Sequence, residues 1–396
     1  MSLDSNTHFH KLLISLVVYF NYMSSKIVII TSSLSLGGSE KVLYNLCKEK
    51  IRSHIQVINL SKKQFYSQKL ESIGVKVYNL SISKYNFISK LIDIILIIKK
   101  SNPEIIQTWM YHADLISVVI KPFFINKNFY WGIRNGSKKL KLTTSILIRV
   151  LSIFSYFIPR KIISCSKSST KMHEEYFYCK KKIITILNGV DTSRYYKNIS
   201  VRNEYRNRYN IKDDNLVISM VARWDPQKDH DLLLNAFQKF TQKSEGKYVL
   251  FLAGLKITKD NHELLNKISK LNIKDKTILA GEVEDTEYVY NLSDISILCS
   301  TSGEGFPNVI SESMACGTIC IATNSGDVEL IINKFGWVIE EGNLSQLLKA
   351  LAEAKNEISD KENWINKSNN SIMHIKSNFT IQTMVNEYCK VWNLSL

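Results

Sequence analysis

Acidic residues are scarce in the first half of this chain. Residues 1–198 carry 10 Asp and Glu against 30 Lys and Arg, a balance of +20; residues 199–396 carry 26 against 22, a balance of −4. The net charge of +16 on 396 residues therefore belongs to the first half. A half of that kind meets an anionic partner, or it is a solvated Lys-rich surface. Paired cysteines are also lacking. The seven Cys stand at 47, 165, 179, 299, 316, 320 and 389, odd in number and without zinc-site spacing, which points to a reduced cytosolic compartment. No hydrophobic run is long enough to span a bilayer. KLLISLVVYF (11–20) is too short, and no small-residue cleavage site follows it, so a signal peptide is not expected. Residues 1–22 read as a dispensable extension, because Met23 opens MSSKIVIITSS, a natural start for a strand-first domain. Neither GxGxxG nor GxxxxGK[ST] occurs, which removes the dinucleotide and Walker readings. No nucleic-acid module is recognisable, so nucleic acid is not an expected partner.

What is present is alternation. KIVIIT (26–31), IQVINL (55–60), VKVYNL (75–80) and EIIQTW (104–109) read as buried strands, with a helix over 87–100 between the last two. LVISMVAR (216–223), YVLFLAG (248–254), KTILAGEV (276–283), ISILCS (295–300) and ICIAT (319–323) repeat the pattern. Strands alternating with helices imply α/β architecture with parallel sheets covered on both faces. The length and the restart favour two domains: 23–195 and 196–377, with a polar, irregular linker over 191–214. Residues 378–396 read as an amphipathic helix packing back toward the first domain. KKLKLTTSILIRVLSIFSYFIPRK (138–161) is basic and amphipathic; it is a bilayer-interface helix or a core helix with solvated ends.

Ligands of such sheets sit beyond the carboxyl ends of the strands. Gly37 and Gly38 make a tight turn there, followed by a helix, where backbone can approach a phosphate. His112 follows the strand at 104–109 and can share a proton near pH 7. Arg134 and Asn135 follow the next strand. Arg223 and Lys228 share one strand-to-helix loop and together can hold a diphosphate and stabilise charge growing on it. Residues 300–332 hold two carboxylates, Glu304 in a loop and Glu312 on a helix expected from Asn308 to Ala315, with Pro307 at its first turn. Two such carboxylates also fit acid/base hydrolysis, but that chemistry has no need of Arg223 and Lys228. Asp229-His230-Asp231 mimics a DxD metal motif. It opens a helix, and side chains two apart share no helix face, so no metal is predicted.

Six motifs carry a resemblance: LGGSE (36–40), WMYHAD (109–114), SCSKSS (164–169), ILNGVD (186–191), ARWDPQKDH (222–230) and EGFPNVISESMACG (304–317), the last an E-x7-E element. With them the chain resembles the retaining, nucleotide-sugar-dependent glycosyltransferases of family 4 (group 1), many of which build capsular polysaccharide and O-antigen. The resemblance implies a GT-B fold: two Rossmann-like parallel-sheet domains facing across a cleft. It implies a hexosyltransferase that moves a hexose or N-acetylhexosamine from a nucleoside-diphosphate sugar, UDP-sugar first among them, to a lipid-linked glycan. It places Gly37 and Gly38 against the donor diphosphate, His112 on the acceptor or donor-sugar side, and Arg223 and Lys228 on the diphosphate. Glu304 would lie near the donor sugar, Glu312 on the ribose and Val283 near the base, with Gly305, Phe306, Pro307, Asn308 and Val309 completing the donor loop. No metal, and no cofactor beyond the donor, is implied. The expected setting is an anionic membrane, at the inner face of the cytoplasmic membrane. Ser313 stands where the family often has Ala, and Thr318-Ile319 where Val-Pro is commoner. A nucleotide-sugar epimerase of the same fold, or a non-enzymatic sugar-nucleotide-binding subunit, are the alternatives.

Overall fold

A computed structural model describes residues 26–136 and 140–394. The extension 1–22, with its apolar run 11–20, lies outside the described residues, as do Lys138 and Lys139. Two parallel sheets form the frame. The first holds β1 (Ile27–Thr31), β2 (Ile55–Asn59), β3 (Lys76–Asn79), β4 (Ile105–Trp109), β5 (Asn128–Ile133), β6 (Lys161–Ser164) and β7 (Ile183–Thr185). Its order is β3-β2-β1-β4-β5-β6-β7. The second holds β8 (Asn215–Val221), β9 (Lys247–Ala253), β10 (Thr277–Leu279), β11 (Ile295–Leu298), β12 (Ile319–Thr323) and β13 (Trp337–Ile339), in the order β10-β9-β8-β11-β12-β13. β1, β4, β11 and β12 are buried along their whole length, as strands covered on both faces must be, and this explains their Ile/Val-rich sequences.

Sheet order reverses at β1/β4 in the first sheet and at β8/β11 in the second. These are the switch points at which ligands of open α/β sheets bind. Two elements differ from the sequence reading. Residues 191–214 include the helix Ile199–Arg208, whose Asn198 caps the Val201 amide at 3.1 Å. What anchors this polar helix is charge: Arg202 and Arg206 both reach Asp294, at 2.6 and 2.8 Å, and Arg206 is buried. β13 was not expected; it has three residues and no clear alternation.

The chain crosses between the sheets twice, and the crossings pair. Val190 donates to Phe379 O at 2.8 Å and accepts from Ile381 N at 3.1 Å. The helix Ile381–Trp392 then packs on the first sheet. Met384, Val385, Tyr388 and Trp392 join the core of Ile27, Ile29 and Trp109, and Trp392 Nε1 donates to Gln107 Oε1 at 3.1 Å.

Candidate active site

The carboxyl ends of both sheets face one cavity of about 610 Å³. The β1 loop contributes Gly37 and Gly38, and Met110 and Arg134 follow β4 and β5. From the second sheet come Arg223 and Lys228 after β8, Val283 after β10, and Glu304 to Val309 with Glu312 after β11. The structure therefore gathers every expected donor-side residue in one place.

His112 is the exception and is not among the cavity-lining residues. Met110, with φ +80° and ψ +157°, turns the chain so that a helix starts at Tyr111. Tyr111, Ala113 and Asp114 then turn into the core, while His112 is exposed. The buried polar group beneath is His173. Its Nδ1 donates to Ser169 O at 2.8 Å, and its Nε2 faces the Tyr111 hydroxyl at 2.9 Å. Burial pushes its pKa down to about 4, so it stays neutral as a structural group.

The helix Asn308–Ala315 forms as expected, with Pro307 just before it rather than in its first turn. Glu304 sits in the loop before it. Its carboxylate takes the Lys228 ammonium and the Ser300 hydroxyl, the latter at 2.7 Å. Arg223 is half-exposed. Its Nε reaches Asp225 Oδ2 at 3.1 Å and its Nη2 reaches Gln227 Oε1 at 3.3 Å, contacts that align the guanidinium along the cavity wall. The Gln227 amide in turn donates to Ser302 O at 2.7 Å, fixing the β8 loop to the β11 loop.

Glu312 is 5% exposed. Its Oε1 accepts from Lys41 Nζ at 2.6 Å and its Oε2 from the Tyr290 hydroxyl at 3.3 Å. Lys41 comes from the other domain, one turn past Gly38. It also donates to the Tyr195 hydroxyl at 2.6 Å, and that hydroxyl meets Thr286 Oγ1 at 2.9 Å. Burial, and after it the Glu312 charge, hold both tyrosine hydroxyls well above their ordinary pKa. Both remain neutral. Lys41, Tyr195, Thr286 and Tyr290 were not singled out in the sequence. The only local sign was that Lys41 lies on the helix opened by the Gly-Gly turn.

Other contacts join the two walls. Asn308 Nδ2 donates to Gly38 O at 3.3 Å, and Asn308 Oδ1 accepts from Asn188 at 3.1 Å. Gly136 lies so close to the donor loop that a Cβ there would stand 2.5 Å from Glu304 O. The Asp327 carboxylate accepts from the Lys167 and Ser168 amides at 2.7 and 2.9 Å, meeting the positive end of the helix Lys167–Glu175. Arg134 lies over the Trp109 ring at 3.5 Å, bonds Asn188 at 3.2 Å and is held by the Tyr388 hydroxyl. The terminal helix thus helps to aim a cation along the first-sheet wall.

The Asp229-His230-Asp231 carboxylates have separate tasks. Asp229 caps the Leu232 amide at 3.1 Å, and Asp231 pairs with Lys267 at 2.6 Å. His230 is buried against Trp224, with ring centroids 4.9 Å apart. Among the described residues no group of three His, Cys, Asp or Glu can hold a metal ion.

Two Rossmann-like parallel-sheet domains across a cleft define the GT-B fold. HepE from Anabaena, solved in complex with UDP, has the same fold: TM-score 0.82 over 93% of this chain and 99% of that one, at 18% identity. Residues 201–371 match the family described as "Glycosyl transferases group 1", a stretch that includes Arg223, Lys228, Glu304 and Glu312. Among curated relatives, the chain is 23% identical over 277 residues to the "Uncharacterized glycosyltransferase MJ1059" of Methanocaldococcus jannaschii, covering 66% of each. It is 33% identical over 141 residues to a Campylobacter jejuni protein, the N-acetylgalactosamine-N,N'-diacetylbacillosaminyl-diphospho-undecaprenol 4-alpha-N-acetylgalactosaminyltransferase. That match covers 35% of this chain and 36% of the relative. The chain thus spans about one third to two thirds of the length of these two curated relatives.

Proposed function

We propose that this chain is a retaining glycosyltransferase. It moves a hexose or N-acetylhexosamine from a UDP-sugar onto a lipid-linked glycan in the synthesis of a surface polysaccharide, O-antigen or capsule, at the inner face of the cytoplasmic membrane. One observation carries the reading. Arg223, Lys228, Glu304 and Glu312 face the Gly37-Gly38 turn across a single cavity at the switch points of both sheets. HepE, of the same fold, has been solved with UDP, and the Campylobacter relative is named for transfer to a diphospho-undecaprenol glycan. The polysaccharide setting rests on the motif resemblance.

In this reading the diphosphate lies between the Gly37-Gly38 turn and the Arg223/Lys228 pair. The sugar C1–O bond to phosphate breaks. The acceptor hydroxyl oxygen bonds to C1 on the same face, and its proton passes to the released diphosphate oxygen. Negative charge grows on that diphosphate as the bond opens. Arg223 and Lys228 stabilise this charge, so they favour the transition state over the ground state. Glu304, already partnered by Lys228, stands beside the sugar as positive charge develops there, and Glu312 takes the ribose hydroxyls.

The test is a transfer assay with UDP-sugars and a lipid-diphosphate glycan. Arg223→Ala, Lys228→Ala and Glu304→Ala should each lower kcat by about 10²-fold. Near-wild-type turnover in these variants would overturn the assignment of the site. Donor consumed without any acceptor would favour the epimerase.

A further inference from the structure

Seven Lys and Arg side chains line the cavity. Lys41, Lys48, Lys69, Arg194, Arg223 and Lys228 each face a carboxylate. The seventh, Arg134, has no carboxylate beside it among the described residues. Its partners are all neutral. The Trp109 ring centroid lies 3.5 Å from the guanidinium carbon, Nη1 donates to Asn188 Oδ1 at 3.2 Å, and Nη2 meets the Tyr388 hydroxyl. Its Nε is buried and makes no hydrogen bond among the described residues. A partly buried cation without a counter-charge is costly. A lysine could relieve that cost by giving up its proton, but a guanidinium stays charged. The anion that answers Arg134 therefore comes from outside the chain.

The surroundings hold the guanidinium ready for it. Trp109 and Tyr388 are both almost wholly buried. Tyr388 stands on the terminal helix Ile381–Trp392, which is anchored by the Trp392 bond to Gln107 at 3.1 Å. Of the five N–H donors of an arginine, Arg134 spends two on Asn188 and Tyr388. The rest suit the paired oxygens of a phosphate. Position selects which phosphate. Arg223 and Lys228 stand on the second-sheet wall and meet the donor diphosphate in the reading above. Arg134 stands on the opposite wall, just past β5, and its direct partners belong to the first sheet, the segment after β7 and the terminal helix. Two residues on, Gly136 approaches the loop of Glu304 so closely that a Cβ there would stand 2.5 Å from Glu304 O. An anion on Arg134 therefore lies beside the donor-sugar loop, on the side from which an acceptor reaches the sugar.

We infer that Arg134 binds the diphosphate of the acceptor, with Tyr388 as the residue that positions its guanidinium. The inference rests on the proposed function for the identity of the anion. It makes the charged linkage of the acceptor, and not its sugar alone, a feature that the enzyme reads.

The experiment is thermal unfolding of the full chain saturated with UDP, titrated with geranyl diphosphate and, as the uncharged control, with geraniol. UDP fills the donor site, so any further rise in melting temperature reports a second site. The melting temperature should climb with geranyl diphosphate and stay still with geraniol. Arg134→Gln should weaken that second response at least about tenfold, the loss of a hydrogen-bonded charge pair, and should keep the wild-type shift with UDP itself. Tyr388→Phe keeps the charge but loses its aim. It should weaken the geranyl diphosphate response by a smaller factor, keep the UDP shift, and serve as the test should Arg134→Gln fold poorly. The inference is overturned by no second response in the wild type, or by a wild-type response in either variant. It is also overturned if Arg134→Gln loses the UDP shift, which would assign Arg134 to the donor. Transfer assays separate this inference from the reading beneath it. A wild type that uses a neutral alkyl glycoside as well as a diphosphate-linked sugar would overturn the inference and leave the transferase standing. A geranyl diphosphate response that depends on Arg134, with no transfer to any acceptor, would count against the proposed function and leave this site standing.

Discussion

Lys41 and Glu312 join the two domains through one charged pair, and Tyr195, Tyr290 and Thr286 complete their hydrogen bonds. Removing the cation would leave a nearly buried carboxylate with only the Tyr290 hydroxyl, at a cost of about 1–3 kcal/mol. Lys41→Met should therefore lower stability and raise the donor KM by about tenfold with a smaller change in kcat, and Lys41→Arg should restore both. An unchanged KM would separate Lys41 from donor binding. The buried imidazoles add a pH dependence. Burial lowers the pKa of His173 and of His230 to about 4. A folded pKa below the unfolded value of about 6.5 means that the unfolded chain takes up protons first as pH falls. The stability tied to these two groups is complete above pH ~6.5 and is lost toward pH ~4, at up to about 1.4 kcal/mol per pH unit for each group. Thermal melts from pH 7 to 4 should show this slope, and His173→Gln should flatten it; a slope unchanged in that variant would contradict the argument.

Among the elements, the helix Lys167–Glu175 receives the Asp327 carboxylate at its N-terminus although Ser166 already caps it, with its hydroxyl accepting from Ser169 N at 3.0 Å. Asp327→Ala leaves two amides at a domain junction without their partner and should cost about 0.5–2 kcal/mol. Asp327→Asn, which keeps an acceptor, should cost less, and chemical denaturation would measure both. Equal losses in the two variants would deny the charge a role. The sheets were legible in the sequence because parallel strands read as apolar runs broken by Gly, Pro and polar turns. The loop before Asn308–Ala315 was legible for the same reason. The helix Ile199–Arg208 was not, since Arg206 is buried by an ion pair with Asp294, 88 residues away. Lys41 escaped in the same way: its partner Glu312 lies 271 residues along the chain. Periodicity reports a local face and cannot report a partner in another domain. His112 marks a different limit: the strand end was legible, but the backbone turn at Met110 opens a helix at Tyr111 that leaves His112 exposed and outside the residues lining the cavity.

For the molecule as a whole, the charge asymmetry has an outlet in the cleft, where the basic first domain meets acidic groups of the second: Lys41 reaches Glu312 at 2.6 Å, and Lys69 pairs with Glu284. The Lys69 pair is largely exposed and so open to screening by salt. Raising salt should loosen the cleft and increase the radius of gyration in small-angle scattering, and a constant radius would show that the exposed Lys69–Glu284 pair contributes nothing to holding it. The central claim is that Arg223 and Lys228 hold the diphosphate of a UDP-sugar in that cleft. Thermal unfolding with increasing UDP tests it most directly. The account predicts a melting temperature that climbs with ligand, about 2.7 kcal/mol of added stability at a hundredfold excess over Kd, and no climb in Arg223→Ala/Lys228→Ala. A melting temperature indifferent to UDP, or a double variant that responds as the wild type does, would contradict it.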